Sequence, residues 1–524
     1  MDSGARQHDV DVLVVGAGPT GLMLANWLAK LGVSSAIIDG DDGPTSESRA
    51  LGVHSRSMEI YDQLGVVDRV LAEAVRAESM RQGFGRTALA PIPLAGLGQG
   101  ITPYPGIYML EQSANERILA ENLGALGGTV RWRHRLTALD RHDDGVVALV
   151  DTPSDRSAIR ARFAVGCDGA SSTVRSLCGI AFEGTTSRQT FYLIDAVGVT
   201  GLALASVNIR QGATEFLLAF PMRGDGEGRN AQRLIGIAAD DDVSEVTEDF
   251  ARHRLADGFG VTYEDRRWFS TYRVHHRIAA QFHSGSVFLA GDAAHVHSPV
   301  GAQGMNTGLQ DAHNLAFKLH DVIVGRAPAA LLDRYEAERR PVAQRLLRTT
   351  DTLFHGITAR SPLATLVRKY VPRVVLPVGV AILPHLPIGR RLAGYLGQIR
   401  IHYPMGERSG HRPRGSRLHR DAVVGRRLPW TGENFDALRT AQWQLHLYAA
   451  DTTALGRAEA VAHRLRLPLH TFAGTGSTRL RPGLLYLVRP DGFVAAASPP
   501  EDAVRAFGSA GGFQAPHIEE GQRS

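Results

Sequence analysis

Cysteine is scarce: Cys167 and Cys178 are the only two in 524 residues. That excludes a disulfide framework, and their spacing fits neither a CxxC redox pair nor a zinc site. Both read as small core residues of a protein kept in a reducing compartment. Lysine is nearly as rare, with only Lys30, Lys318 and Lys369. The net charge of +5 rests on arginines scattered among acids, a pattern that argues against a nucleic-acid surface. No long unbroken apolar run occurs. The best candidate, Val371 to Gly389, carries four prolines and Arg373. It is too interrupted to span a bilayer, which needs about 20 apolar residues. The start of the chain lacks the charged segment and cleavage site of a signal peptide, so a cytoplasmic protein is expected.

What is present has ordinary globular proportions, 44% hydrophobic and 21% charged, with room for two or three domains. "DVDVLVVGAGPTGLMLANWLAKLGVSSAIIDG" reads as strand, tight turn, helix, strand. Gly16, Gly18 and Gly21 form G-x-G-x-x-G. The first glycine permits the turn, the second admits a pyrophosphate, and the third lets helix and strand pack closely. Asp39 ends the second strand, placed to accept hydrogen bonds from ribose hydroxyls. A dinucleotide site follows, without saying which dinucleotide.

"LAGDAAHVHSPVGAQGMNTGLQDA" makes a second statement. An apolar strand ends at Gly291 and Asp292, and an amphipathic helix begins near Met305 behind Gly301-Ala302-Gln303-Gly304. Leu309, Ala312, Ala316, Leu319 and Ile323 share one face of it. Small residues let a planar ligand lie against bare backbone, and the helix start offers N–H donors to negative charge. A reduced isoalloxazine is such a ligand, with Asp292 placed for its ribityl chain or ribose.

With "VGCDGASSTVR" between them, these motifs resemble the single-component FAD-dependent aromatic hydroxylases of the p-hydroxybenzoate hydroxylase type. The chain is most similar to the branch acting on polyketides and to the rifampicin monooxygenases. The resemblance covers roughly residues 8 to 350, with "ESRALGVHSRSMEIYDQLG" and "YMLEQSANERIL" in order between the motifs. It implies an α/β fold: a Rossmann-like FAD-binding domain (1–180 and 283–402, helical over 305–402), an inserted antiparallel β-sheet substrate domain (181–282), and a C-terminal thioredoxin-like domain (403–524) without cysteines. It implies FAD contacts from Gly16, Gly18, Thr20, Gly21, Asp39, Arg49, Gln112, Leu136, Asp168, Gly169, Asp292, Gly304, Met305 and Asn306. Asp168 would also serve nicotinamide binding. Arg49, His54 and Pro299 are the catalytic candidates: Arg49 against the flavin, His54 as a proton shuttle, and the Pro299 carbonyl over the ring near the substrate carbon. Phe220, Pro221 and Pro299 are the substrate-pocket candidates.

The implied reaction uses NADPH or NADH and O2 to insert one oxygen atom through a flavin C4a-hydroperoxide. Hydroxylation leads, with Baeyer–Villiger insertion or epoxidation as alternatives, and mere sequestration of an aromatic drug as the non-catalytic rival. An aromatic or polyketide small molecule is the expected partner, to a monomer or homodimer with no membrane span. His295, His297 and His313 lack companions for a metal set and read as loop or helix-surface residues. No second G-x-G-x-x-G occurs and no cysteine pair, which disfavours two-domain reductases and disulfide reductases. No lysine lies between Lys30 and Lys318, which weighs against flavin halogenases.

Overall fold

The computed structural model describes residues 8–45, 50–212, 215–238, 246–297, 303–358, 394–406, 423–474, 479–508 and 510–514. Arg49, Pro299 and the apolar stretch from Val371 to Gly389 lie outside them.

Val10–Val15 is the central strand of the first sheet because its side chains are covered on both faces, with Val12, Leu13 and Val14 wholly buried. It pairs in parallel with Ser35–Ile38 on one side and with the second half of Arg156–Gly166 on the other. Val130–Arg131 and Val287–Leu289 add further parallel strands outside these. The winding therefore reverses between Val10–Val15 and Arg156–Gly166, and Val15 stands level with Gly166. Open parallel sheets bind ligands at such a reversal, beyond the strand ends. Arg135–His142 and Gly145–Asp151 extend the sheet as an antiparallel meander on the first half of Arg156–Gly166.

The expected inserted sheet is present and larger than its segment. Phe182–Val197 pairs antiparallel with Asp265–Ala279 and with Ala231–Ala238, which continues to Phe216–Met222 and Ser206–Gln211. Next to Ser206–Gln211, Ser79–Phe84 comes from far upstream and joins in parallel, with the short strands Thr87–Ala88 and Ile92–Pro93 beyond it. A short half-buried strand whose partner lies over a hundred residues away has no local signature, so the sequence does not announce it.

Alternation gives this sheet two faces. Tyr192, Ile194, Leu217, Ala219 and Leu234 pack beneath the helical segment 248–259. Phe191, Leu193, Phe216, Leu218, Ile235 and Ile237 form the other face. Phe220 bridges that face to a cluster containing Leu51, Ala77 and Met109 of the nucleotide-binding part. This second face therefore looks into the cleft between the sheets.

Gly304–Ile323 is buried all round. The expected apolar residues Leu309, Ala312, Ala316 and Leu319 are inaccessible, but so are Asn306, Thr307, Asp311, His313, Asn314 and Lys318. Its polar side is covered by the helices Ser55–Leu64 and Asp333–Thr358 and by the C-terminal unit. That unit has a four-stranded sheet ordered Leu469–Phe472, Gln444–Tyr448, Leu485–Val488, Val494–Ser498. The first pairing is parallel and the other two antiparallel, with helices Thr452–Leu465 and Pro500–Phe507 alongside. The turn at Pro490-Asp491-Gly492 is the expected hairpin. No helix among the described residues is long and apolar enough to cross a membrane.

Candidate active site

The glycines of the first motif divide by what surrounds them. Gly16 has φ +102°, and a Cβ there would stand 2.5 Å from the Cys167 carbonyl oxygen. A Cβ on Gly21 would collide with the Gly16 carbonyl. Those two glycines close the turn. Gly18 is different: a Cβ there meets nothing within 4 Å. Its open side lies at the start of Pro19–Lys30, which no side chain caps. Free N–H groups facing open space at a helix start suit a pyrophosphate. Asp39 closes the far end, with Oδ2 accepting from the Ala17 amide at 2.6 Å and Oδ1 from the Asp41 amide at 2.9 Å. Leu136 is buried beside that turn: the His134 amide donates to the Asp39 carbonyl at 2.8 Å, and Arg135 donates to Gly40 at 3.3 Å.

The middle motif is spent largely on architecture. Asp168 Oδ1 accepts from the Ser172 hydroxyl at 2.5 Å and Oδ2 from the Val174 amide at 3.0 Å. The carboxylate thereby caps the short helix Thr173–Leu177. Burial pushes the Asp168 carboxyl above its ordinary range, against the pull of these hydrogen bonds. Gly169, at φ +77°, has open space where a side chain would stand. Arg175 donates to Ala170 at 2.7 Å and to Ala293 at 2.9 Å, so the middle motif braces the third.

In that third motif Gly291 has φ +62° and would collide with Thr20 if it carried a Cβ, as would Gly308. Thr20 therefore keys the first helix onto the loop and onto Gly304–Ile323. Asp292 is exposed on the loop between them. Gly304–Ile323, like the first helix, starts without a side-chain cap. Two uncapped helix starts, an exposed carboxylate and the two bare glycines Gly18 and Gly169 thus lie around the sheet's reversal.

Asn306 plays a part the sequence does not show. Its Oδ1 accepts from the His54 amide at 2.9 Å and the Ser57 hydroxyl at 2.7 Å, and its Nδ2 donates to Gly52 at 2.8 Å. The side chain stitches the helix start to the segment after Arg49. Gln112 grips the same segment, its Oε1 accepting from the Ala50 amide at 3.1 Å. Met305 Sδ lies 3.7 Å from Asn115 Nδ2. His54 is buried, with its ring bonded to the Leu396 carbonyl.

His295 and His313 are not surface residues, whereas His297 is half-buried. His295 is buried, with Nε2 2.7 Å from Asp311 Oδ2, and Asp311 Oδ1 accepts from Arg339 Nε at 2.6 Å. Burial alone would raise the Asp311 carboxyl, but Arg339 and His295 hold it below its ordinary range. His313 is buried against Trp27 and Phe317. Burial, reinforced by nearby arginines, pushes its imidazole well below the ordinary value. Periodicity could not reveal these placements, because distant parts of the chain cover the helix's polar side.

Phe220 and Pro221 part company. Phe220 lies on the cleft face, whereas Pro221, paired with Gln232, turns to the other.

A family model described as an FAD binding domain matches residues 9–350. The 6-methylpretetramide 4-monooxygenase of Streptomyces rimosus is 33% identical over 93% of this chain and 90% of its own length. A rifampicin monooxygenase of Streptomyces venezuelae is 35% identical over 80% of this chain and 84% of its own. Among solved structures, an anhydrotetracycline hydroxylase of Streptomyces rimosus superposes with TM-score 0.74 at 31% identity, covering 97% of this chain and all of that one. An aklavinone-11 hydroxylase solved with FAD and aklavinone gives 0.73 at 26%, over 94% of this chain and 96% of that one. The glycine-lined cleft, its uncapped helix starts and these likenesses agree: the chain belongs to the FAD-binding-domain family of flavin-dependent aromatic monooxygenases.

Proposed function

We propose that the chain uses NAD(P)H and O2 to hydroxylate an aromatic polyketide-type substrate lying between the inserted sheet and the third motif. One observation carries this reading. Asn306, at the uncapped start of Gly304–Ile323, bonds to Gly52 and His54, and the neighbouring Leu51 shares a cluster with Phe220 of the apolar sheet face. When bound, FAD supplies the two-electron relay that lets O2 yield one atom to an electron-rich ring.

The chain's own residues do the rest. The first helix start and Gly18 receive the diphosphate, and Asp39 takes ribose hydroxyls. The N–H groups at Gly304 and Met305 favour negative charge on the nearby ring system. Phe191, Phe216, Leu218 and Phe220 present a dry wall that excludes water from the reacting carbon. On the resemblance alone, Arg49 is proposed against the flavin and the Pro299 carbonyl over its ring. The order of the C-terminal sheet supports a thioredoxin-like unit whose role, without thiols, is to cover the back of the Gly304 helix.

The test is product analysis. Purified protein should be yellow and should oxidise NADPH faster when a tetracyclic polyketide or naphthoquinone is added. One product oxygen should carry label from isotopic O2. A yellow protein whose NADPH oxidation no aromatic compound accelerates would refute the monooxygenase reading.

A further inference from the structure

The cleft face of the inserted sheet carries an ion pair that the scheme above does not use. Asp195 and Arg233 are direct cross-strand neighbours. Arg233 Nε donates to Asp195 Oδ1 and Nη2 to Oδ2, both at 2.7 Å. Their side chains are 1% and 6% exposed. This fork fixes the plane of the guanidinium and uses one of its edges. The remaining terminal nitrogen, Nη1, lies away from Asp195, is buried, and has no hydrogen-bond partner among the described residues. Burying an N–H without an acceptor is unfavourable, so such a donor calls for a ligand that completes it.

Its neighbours describe that ligand. Alternation along Ala231–Ala238 sets Arg233 on the side of Ile235 and Ile237, the cleft side. Phe220 is its cross-strand partner away from Asp195. The Trp268 ring lies 5.9 Å from the guanidinium carbon. From the nucleotide-binding side comes Glu111, directly before Gln112, with Arg267 3.9 Å from its carboxylate. The surroundings are thus aromatic walls around one oriented donor, with Arg233 matched by Asp195 and Arg267 facing Glu111.

We propose that Arg233 anchors the substrate, its Nη1 donating to an acidic ring oxygen of the phenolate or vinylogous-acid kind while Phe220 and Trp268 flank the rings. Asp195 is the positioning residue that holds the donor. This rests on the monooxygenase reading and names the chemical group the site recognises. An aromatic compound lacking that oxygen leaves Nη1 without an acceptor and binds less tightly.

The test titrates FAD-loaded protein with 2-naphthol and with naphthalene, which has no oxygen acceptor, following flavin absorbance. The wild-type chain should prefer the hydroxylated compound at least ten-fold. Arg233→Lys, and the charge-neutral pair Arg233→Gln with Asp195→Asn, should lose that preference while keeping their FAD and their affinity for naphthalene. The neutral pair guards against misfolding from an uncompensated buried charge. A preference that persists in either FAD-loaded variant overturns the proposal. So does a variant that loses both compounds together, the mark of a purely structural pair. An FAD-loaded wild type without the preference overturns this proposal alone, whereas a wild type that takes up no FAD overturns the monooxygenase reading with it.

Discussion

Gly16 and Gly18 make opposite demands on a side chain, and that difference can be measured. At Gly16 a methyl group meets the Cys167 carbonyl and the backbone is left-handed, which costs at least about 1–2 kcal/mol for a non-glycine residue. Gly16→Ala should therefore lower the denaturation midpoint and the yield of folded protein. Gly18→Val has an ordinary backbone and empty space before it. That variant should keep its circular dichroism and melting temperature but purify colourless, because the methyl groups occupy the diphosphate's place. Loss of fold at Gly18 with pigment retained at Gly16 would contradict this division.

His446 supplies a second prediction at this scale. It is buried between the Tyr448 hydroxyl at 3.0 Å and Gln444 Oε1 at 2.9 Å. Burial, with a further push from His470, lowers its pKa to about 3. The unfolded chain binds this proton below its ordinary value of 6.5, while the folded chain refuses it until far lower. Stability should therefore fall as pH drops from 6.5 toward 3, by at most about 1.4 kcal/mol per pH unit for this one proton. His446→Gln should flatten that limb in denaturant titrations run at successive pH values. The ring itself is an ordinary letter in "WQLHLYAAD"; its burial depends on the two strands that flank its own.

At the scale of elements, the Gly304 helix shows how far sequence reading reaches. Its apolar stripe and its glycine-lined start are legible because both are local: a period of 3.6 residues and a run of small side chains. Its polar stripe reads as solvent-facing and is not. Asp311 sits there with Arg339 and His295, and Arg339 also donates to the Tyr403 hydroxyl at 2.9 Å. Two other segments thus meet on this carboxylate, through His295 and Arg339, and Tyr403 brings a third through Arg339. Asp311→Ala leaves Arg339 buried without its charge partner, which should cost about 3–5 kcal/mol. Because the same helix start is proposed to face the cofactor, the variant should also release FAD faster, seen as recovered flavin fluorescence on dilution. Unchanged stability and unchanged FAD release would show the triad to be incidental. The inserted sheet shows the same limit. Its antiparallel strands are visible through alternation, whereas Ser79–Phe84 joins by parallel pairing that no short window contains.

At the scale of the whole molecule, the C-terminal unit is locked to the cofactor-binding part by buried charge. Arg489 forks onto Glu338 at 2.7 and 3.0 Å and onto Asp491 at 3.0 and 2.6 Å. Lys318 reaches Glu338 at 2.9 Å. Arg56 donates to the Asp491 carbonyl at 2.7 Å, and Gln63 donates to the carbonyls of Leu438 and Pro490. Burial alone would raise the Glu338 carboxyl, yet Arg489 and Lys318 hold it well below its ordinary range. Arg489→Met should cost about 3–5 kcal/mol, and pairing it with Glu338→Gln should recover part of that loss. Additive losses in the double variant would mean that the two side chains do not act as one unit.

The sequence by itself determined the dinucleotide turn, its acidic strand end, the glycine-lined helix start and the alternating strands of the insert. Each is encoded by neighbours within a few turns or strands, where backbone geometry and hydrophobic period act directly. Only the tertiary structure decided that Asn306 stitches two segments, that Asp168 caps a helix, that Arg233 keeps a donor for the cleft, and that a thiol-free C-terminal unit seals the polar side of the central helix. Those outcomes depend on which remote groups exclude water from a given side chain, and no local pattern records that.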